Sequence, residues 1–122
     1  HIIWVGGLAE VWAPSFYAVG ARGFTSGLIN VWPDRSVAIH SAMESGDNVS
    51  AARLIEEMRV FEDIRAEEMG GTNVTGVKSA LAMLGLDCGP ARPPSAWPLT
   101  TEQQERLRAF LVRSNLIEDA RE

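Results

Sequence analysis

Few side chains in this sequence carry chemistry by themselves. Lys78 is the only lysine, and such an amine forms an iminium with a carbonyl when burial or a neighbouring charge lowers its pKa. It sits mid-helix in GVKSAL with nothing nearby in sequence to desolvate it, so a helix lysine of structural character is expected. His40, in VAIHSAM, has no paired base or nucleophile and reads as a packing or surface histidine. Cys88 borders a proline-rich stretch, lacks an adjacent cation to favour its thiolate, and is expected to be a buried, inert thiol. One cysteine with only His1 and His40 supplies neither an internal disulfide nor a metal-ligand cluster.

The remaining polar candidates lie in the first third. Thr25 and Ser26 are adjacent hydroxyls at the end of a short β-prone run within GARGFTSGLINVWPD, and Gly6-Gly7 close an earlier apolar run. Glu10 follows that glycine pair. A helix N-terminus attracts a carboxylate on electrostatic grounds, so the expected role of Glu10 is a first-turn charge rather than a group that positions substrate or water.

The elements that would hold these residues follow from pattern. Residues 2–5 form a short continuous apolar run, as in a strand buried on both faces. LAEVWAPSFYAVG reads as a helix ending at Gly20, with Pro14 tolerated in its first turn. Residues 24–26 are the second strand, and Pro33-Asp34 opens a helix that Gly46 closes. Strand, helix, strand, helix is the unit of a parallel sheet. Two parallel strands leave two open edges, so more sheet must come from elsewhere.

The rest is helical. Asp47 is the expected N-cap of a long helix with Leu54, Met58, Phe61 and Ile64 on its apolar face, ended by Gly70-Gly71. A second helix carries Val74, Val77, Leu81 and Leu84 and stops at Gly85. DCGPARPPSAWPL is too rich in proline for a helix or a central strand. Thr100 and Gln103 then make a capping-box pattern, ahead of a helix lined by Leu107, Phe110 and Leu111.

Composition excludes several classes. Apolar residues at 46% and charged residues at 22% argue against a disordered chain. A net charge of −5, with dispersed arginines, gives no phosphate-binding footprint, so nucleic acid is not an expected partner. No apolar run approaches the roughly 18 residues of a membrane span, and no signal peptide pattern is present. A cytoplasmic location is the expectation. The chain opens on His1 and runs straight into HIIWV, which suggests a piece of a longer protein.

Two stretches then point to a family. WVGGLAEVWAPSFYAVGARGFTSGLINVWP and NVTGVKSALAMLGLDCGPARPP, in this order and spacing, resemble the dihydrodipicolinate synthase and N-acetylneuraminate lyase family of class I aldolases. The likeness is nearest to the branch of 5-dehydro-4-deoxyglucarate dehydratases, and it runs from Ile2 to about Leu111. It implies an α/β fold, the C-terminal part of a (β/α)8 TIM barrel: residues 1–46 would be the last two βα units, and residues 47–122 a C-terminal helical extension. The Schiff-base lysine and the proton-relaying tyrosine of the family lie upstream, so no catalytic residue is expected in this chain. The resemblance assigns Gly6, Gly7, Thr25 and Ser26 to the substrate-binding wall, because barrel sites lie at the carboxyl ends of strands. It further implies a pyruvate or sugar-derived 2-keto acid substrate, no cofactor or metal, the remainder of the barrel as a partner, and a homo-oligomer, dimer or tetramer. The competing reading is a noncatalytic helical interaction module in which the first 30 residues form a hairpin-like cap.

Overall fold

The computed structural model describes residues 1–94 and 96–119. The chain divides into two compact units, His1–Arg59 and Val60–Glu122, the division falling inside one long helix. In the first unit the backbone of residues 2–6 runs alongside residues 22–25. The Gly6 N–H donates to the Gly23 carbonyl at 2.8 Å and the Gly6 carbonyl accepts from the Thr25 N–H at 2.9 Å, which makes Gly6 and Phe24 a parallel bridge. Arg22 adds a bond from its N–H to the Trp4 carbonyl at 2.9 Å. The hairpin-like cap of the competing reading requires an antiparallel pair, and this direction removes it.

The two predicted strands are thus reduced to a single bridge among the described residues, with no regular strand. The physical reason is a slip of register: in step with the Gly6–Phe24 bridge the Trp4 carbonyl would accept from the Gly23 N–H, but it accepts from Arg22. Val5 and Phe24 make no backbone hydrogen bond among the described residues, because alternate residues of an extended chain direct their peptide groups to the opposite edge. The apolar run expected to be buried is open in this chain, with Ile2 76% and Trp4 68% exposed. Such a run is costly in water unless something covers it.

Helix α1, Ala9–Ala18, connects the two segments. It starts early enough that Pro14 lies beyond its first turn, contrary to expectation. The ring is exposed, which removes the packing conflict, while the missing N–H leaves the Glu10 carbonyl without its usual i+4 donor. Gly20, at φ +104°, provides the left-handed residue that reverses the chain after α1. Leu28–Asn30 form a single 3-10 turn, followed by α2, Pro33–Glu44, with proline in its first turn where an N–H has no helical partner. Asp47 accepts the Ser50 N–H at 3.0 Å and caps α3, Asn48–Ala66. Ala13, Leu28, Ile39 and Met58 are fully buried in this unit.

The second unit is built on the end of α3 with α4, Asn73–Met83, and α5, Thr101–Arg113. Phe61 and Phe110 meet with ring centroids 5.9 Å apart, and Ile64, Leu107 and Leu111 complete a fully buried cluster. The expected capping box is present: Thr100 Oγ1 accepts the Gln103 N–H, and Gln103 Oε1 accepts the Thr100 N–H. The apolar face of α4 is less complete, because Val77, Leu81 and Leu84 are half-buried and Val74 is exposed. Gly71 is glycine for a steric reason: a Cβ there would stand 2.0 Å from Trp97 Cδ1.

Glu67 ties α5 to the turn that follows α3. It accepts from Gln103 Nε2 at 2.7 Å and from Arg106 Nη1 at 2.6 Å, and the Gln103 hydrogen bond, then the Arg106 guanidinium, hold its carboxyl below the usual range. A depressed folded pKa contributes stability that is complete above the unfolded value of ~4.3 and disappears as pH falls through the folded value. Glu67→Gln should therefore be less stable than the parent above about pH 5 and converge with it in acid. Denaturant unfolding of the full-length protein across this range checks the prediction; a gap that widens in acid would contradict it.

Candidate functional site

The carboxyl end of the parallel pair carries the buried polar residues of the first unit, Glu10 and Ser36. Glu10 enters from the first turn of α1 and is fully buried. Its Oε1 accepts two hydroxyls, Ser26 Oγ at 2.6 Å and Ser36 Oγ at 2.6 Å, so one carboxyl oxygen links α1 to the residue after the bridge and to α2. Burial of a carboxyl group without donors costs several kcal/mol, on the order of what its hydrogen bonds must offset. Oε2 is enclosed with no hydrogen-bond partner among the described residues. Ser26 is engaged on both sides, since its Oγ also accepts the Ile29 N–H at 3.1 Å and so starts the 3-10 turn.

Thr25 is held by its backbone and free in its side chain. Its N–H goes to Gly6 and its carbonyl accepts the Ala9 N–H at 3.1 Å. Ala9 makes that bond from φ +62°, a left-handed conformation that costs a residue with a Cβ about 1–2 kcal/mol. Strain of this size is kept where surrounding contacts over-determine the backbone, commonly beside functional sites. The Thr25 residue itself is exposed, and its hydroxyl makes no hydrogen bond among the described residues.

The structure brings Gly6, Thr25 and Ser26 together at this end, with Gly7 following Gly6 in the chain. The two glycines have different surroundings. A Cβ on Gly6 would stand 2.7 Å from Phe16 Cδ2, whereas Gly7 is exposed with nothing within 4 Å. The close approach at Gly6 is therefore made by the protein's own aromatic ring. The Ser26 hydroxyl is directed to Glu10.

Glu10 lies in the first turn as expected, but the sequence shows neither its burial nor the part played by Ser36. No local pattern reveals either: their contacts join residues 16 and 26 positions apart. The other candidates fall into packing or surface roles. His40 Nδ1 lies 2.5 Å from the Tyr17 hydroxyl, whose pKa is raised by burial and then by the charge of Glu44. Lys78 Nζ donates to the Pro90 carbonyl at 3.0 Å, holding the proline-rich connection against α4. Cys88 is exposed, contrary to the expected buried thiol, because the segment after Gly85 leaves the helix and lies open. Among the described residues no group of three or more His, Cys, Asp and Glu is arranged to hold a metal, and no helix is long and apolar enough to cross a membrane. An open groove lined by Val112, Leu116 and Ile117 shares no residue with the polar cluster.

A parallel bridge with a helical crossover is the unit of parallel α/β sheets, among them the (β/α)8 barrels, whose sites occupy the carboxyl end of the strands. The Dihydrodipicolinate synthetase family matches residues 1–114, and the chain belongs to that family. It is 33% identical over 111 residues to a probable 5-dehydro-4-deoxyglucarate dehydratase of Pseudomonas putida, covering 88% of this chain and 36% of that relative. Among solved structures, dihydrodipicolinate synthase from Oceanobacillus iheyensis superposes with a TM-score of 0.86 at 40% identity, covering 94% of this chain and 38% of the other. The enzyme from Bacillus clausii gives 0.86 at 37% identity over 93% of this chain and 38% of its own. The chain thus spans little more than a third of these relatives' length and fits a C-terminal portion of such a protein.

Gly6→Ala should displace the Phe16 ring and destabilise the full-length protein by about 1–3 kcal/mol, as overpacking does. Gly7→Ala, which meets open space in this chain, should cost less. Thermal unfolding of the two variants checks the order; equal losses would contradict the steric account.

Proposed function

We propose that this chain is the C-terminal part of a Schiff-base lyase that acts on pyruvate or a sugar-derived 2-keto acid. Residues 1–46 supply the last two βα units of its barrel, and residues 47–122 its helical extension. The observation that carries this reading is the parallel Gly6–Phe24 bridge, with the Glu10, Ser26 and Ser36 cluster at its carboxyl end, in a chain of this family. The relatives named as 5-dehydro-4-deoxyglucarate dehydratases support a sugar acid as substrate.

In this reading a lysine and a tyrosine upstream of the chain perform the covalent and proton-transfer steps. The lysine amine condenses with the 2-keto carbon and releases water, and the resulting iminium accepts electron density during dehydration or aldol cleavage. Gly6, Gly7, Thr25 and Ser26 form part of the wall against which the acid lies. Of these, Gly7 offers open space and Thr25 an unengaged hydroxyl, while Gly6 and Ser26 hold the backbone that carries them. The protein is cytoplasmic and assembles as a homo-oligomer, a dimer or tetramer; the exposed Met69, Leu86 and Trp97 of the second unit leave apolar surface for such contacts.

Borohydride reduction of the full-length protein with pyruvate should attach a three-carbon adduct to a lysine outside this chain, located by mass spectrometry of peptides. Lys78→Arg should trap as the parent does. An adduct on Lys78 would overturn the supporting role given to this chain, and absence of any adduct would remove the Schiff-base mechanism.

A further inference from the structure

From the arrangement around the buried carboxyl group we infer that Glu10 is a positioning residue for the Thr25 hydroxyl, which contacts an oxygen of the bound sugar acid. The inference rests on the lyase reading above and adds to it a residue outside the wall. Thr25 has no freedom left in its backbone: its N–H is bonded to Gly6 and its carbonyl to Ala9. Glu10 borders that connection on both sides, by chain neighbourhood to Ala9 and by a hydrogen bond to Ser26. Ala9 precedes it in the chain and is held at φ +62°, and Ser26, the next residue after Thr25, donates its hydroxyl to Oε1. Ser36 shares the same oxygen, so α2 is fastened to the same point. Among the described residues the exposed Thr25 hydroxyl makes no hydrogen bond.

An enclosed carboxyl group is an expensive fastening for a turn on the protein's own account, since apolar residues of similar volume commonly serve as well or better. What such a group adds is direction. Hydrogen bonds fix the Ser26 and Ser36 hydroxyls in orientation as well as distance, and a catalytic wall needs its groups held to within about 0.5 Å. The left-handed Ala9 belongs to the same device, because relaxing it would withdraw the N–H from the Thr25 carbonyl.

The test is a double-variant cycle in the full-length protein, with 5-dehydro-4-deoxyglucarate as the probe. Thr25→Val should lower kcat/KM by about tenfold to a hundredfold, the range of a lost buried hydrogen bond to a polar or charged group. Glu10→Leu, which removes the acceptor, should lower it by a comparable factor, and the double variant should be no worse than the weaker of the two, because both changes remove one function; Glu10→Gln, which keeps an oxygen to accept both hydroxyls, should retain most of the parent rate. Losses that multiply in the double variant overturn the inference, as does a Thr25→Val protein as fast as the parent. Should Glu10→Leu fail to fold, Ser36→Ala takes its place in the cycle under the same criterion. Borohydride trapping of pyruvate reports separately on the mechanism. A protein that traps but shows multiplying losses keeps the lyase reading and loses the role of Glu10, whereas coupled losses without trapping keep that role and remove the Schiff base.

Discussion

The enclosed Glu10 carboxyl is the point on which the first unit depends, because one of its oxygens receives hydroxyls from two other elements. It ties the residue after the parallel bridge to α1 and adds to the Tyr17–His40 hydrogen bond a further polar link between α1 and α2. The cluster also explains why the chain tolerates a left-handed alanine immediately before Glu10. The strained peptide places an N–H on the Thr25 carbonyl, and that bond together with the serine contacts offsets the conformational cost. Local geometry that would be unfavourable alone is thereby made part of a rigid strand end.

The same unit is incomplete on its apolar side. Ile2, Ile3, Trp4 and Val5 form a run suited to a doubly covered strand, yet all are exposed, and the outward peptide groups of Val5 and Phe24 have no partners among the described residues. An open parallel pair with such residues is a poor end state in water. The chain covers little more than a third of its relatives' length, and in the barrel proposed above neighbouring strands would cover this run. By contrast, the second unit has a buried aromatic pair and a satisfied helix cap of its own, and its exposed apolar residues lie outside that cluster.

Legibility in the sequence followed the range of the interactions. Caps and stops act over three or four residues, and Asp47, Gly20, Gly46 and the Thr100–Gln103 pair were read correctly from local chemistry. The parallel order of the first segments was also legible, because strand, helix, strand is a topological pattern. Regular strands were not obtained, since pairing depends on neighbours rather than on the residues themselves. The Glu10 cluster was invisible for a related reason. A glutamate in a first turn has an adequate local explanation in the helix dipole, and nothing in the sequence shows that its side chain is turned inward to meet Ser26 and Ser36. Thr25 and Ser26 are both expected in the wall from the resemblance, and what the sequence does not show is that the Ser26 hydroxyl bonds to Glu10 and Ile29 while that of Thr25 makes no hydrogen bond among the described residues.

That residues 2–6 and 22–25 belong to a continuous sheet is the claim from which the rest follows, and amide hydrogen exchange in the full-length protein tests it most directly. Gly6 and Thr25 donate within this chain, while the Val5 and Phe24 N–H groups point to the opposite edges. If neighbouring strands complete the barrel, all four amides should exchange slowly and to a similar depth. Rapid exchange at Val5 and Phe24 beside protected Gly6 and Thr25 would mean that the pair stands alone, and would contradict the account.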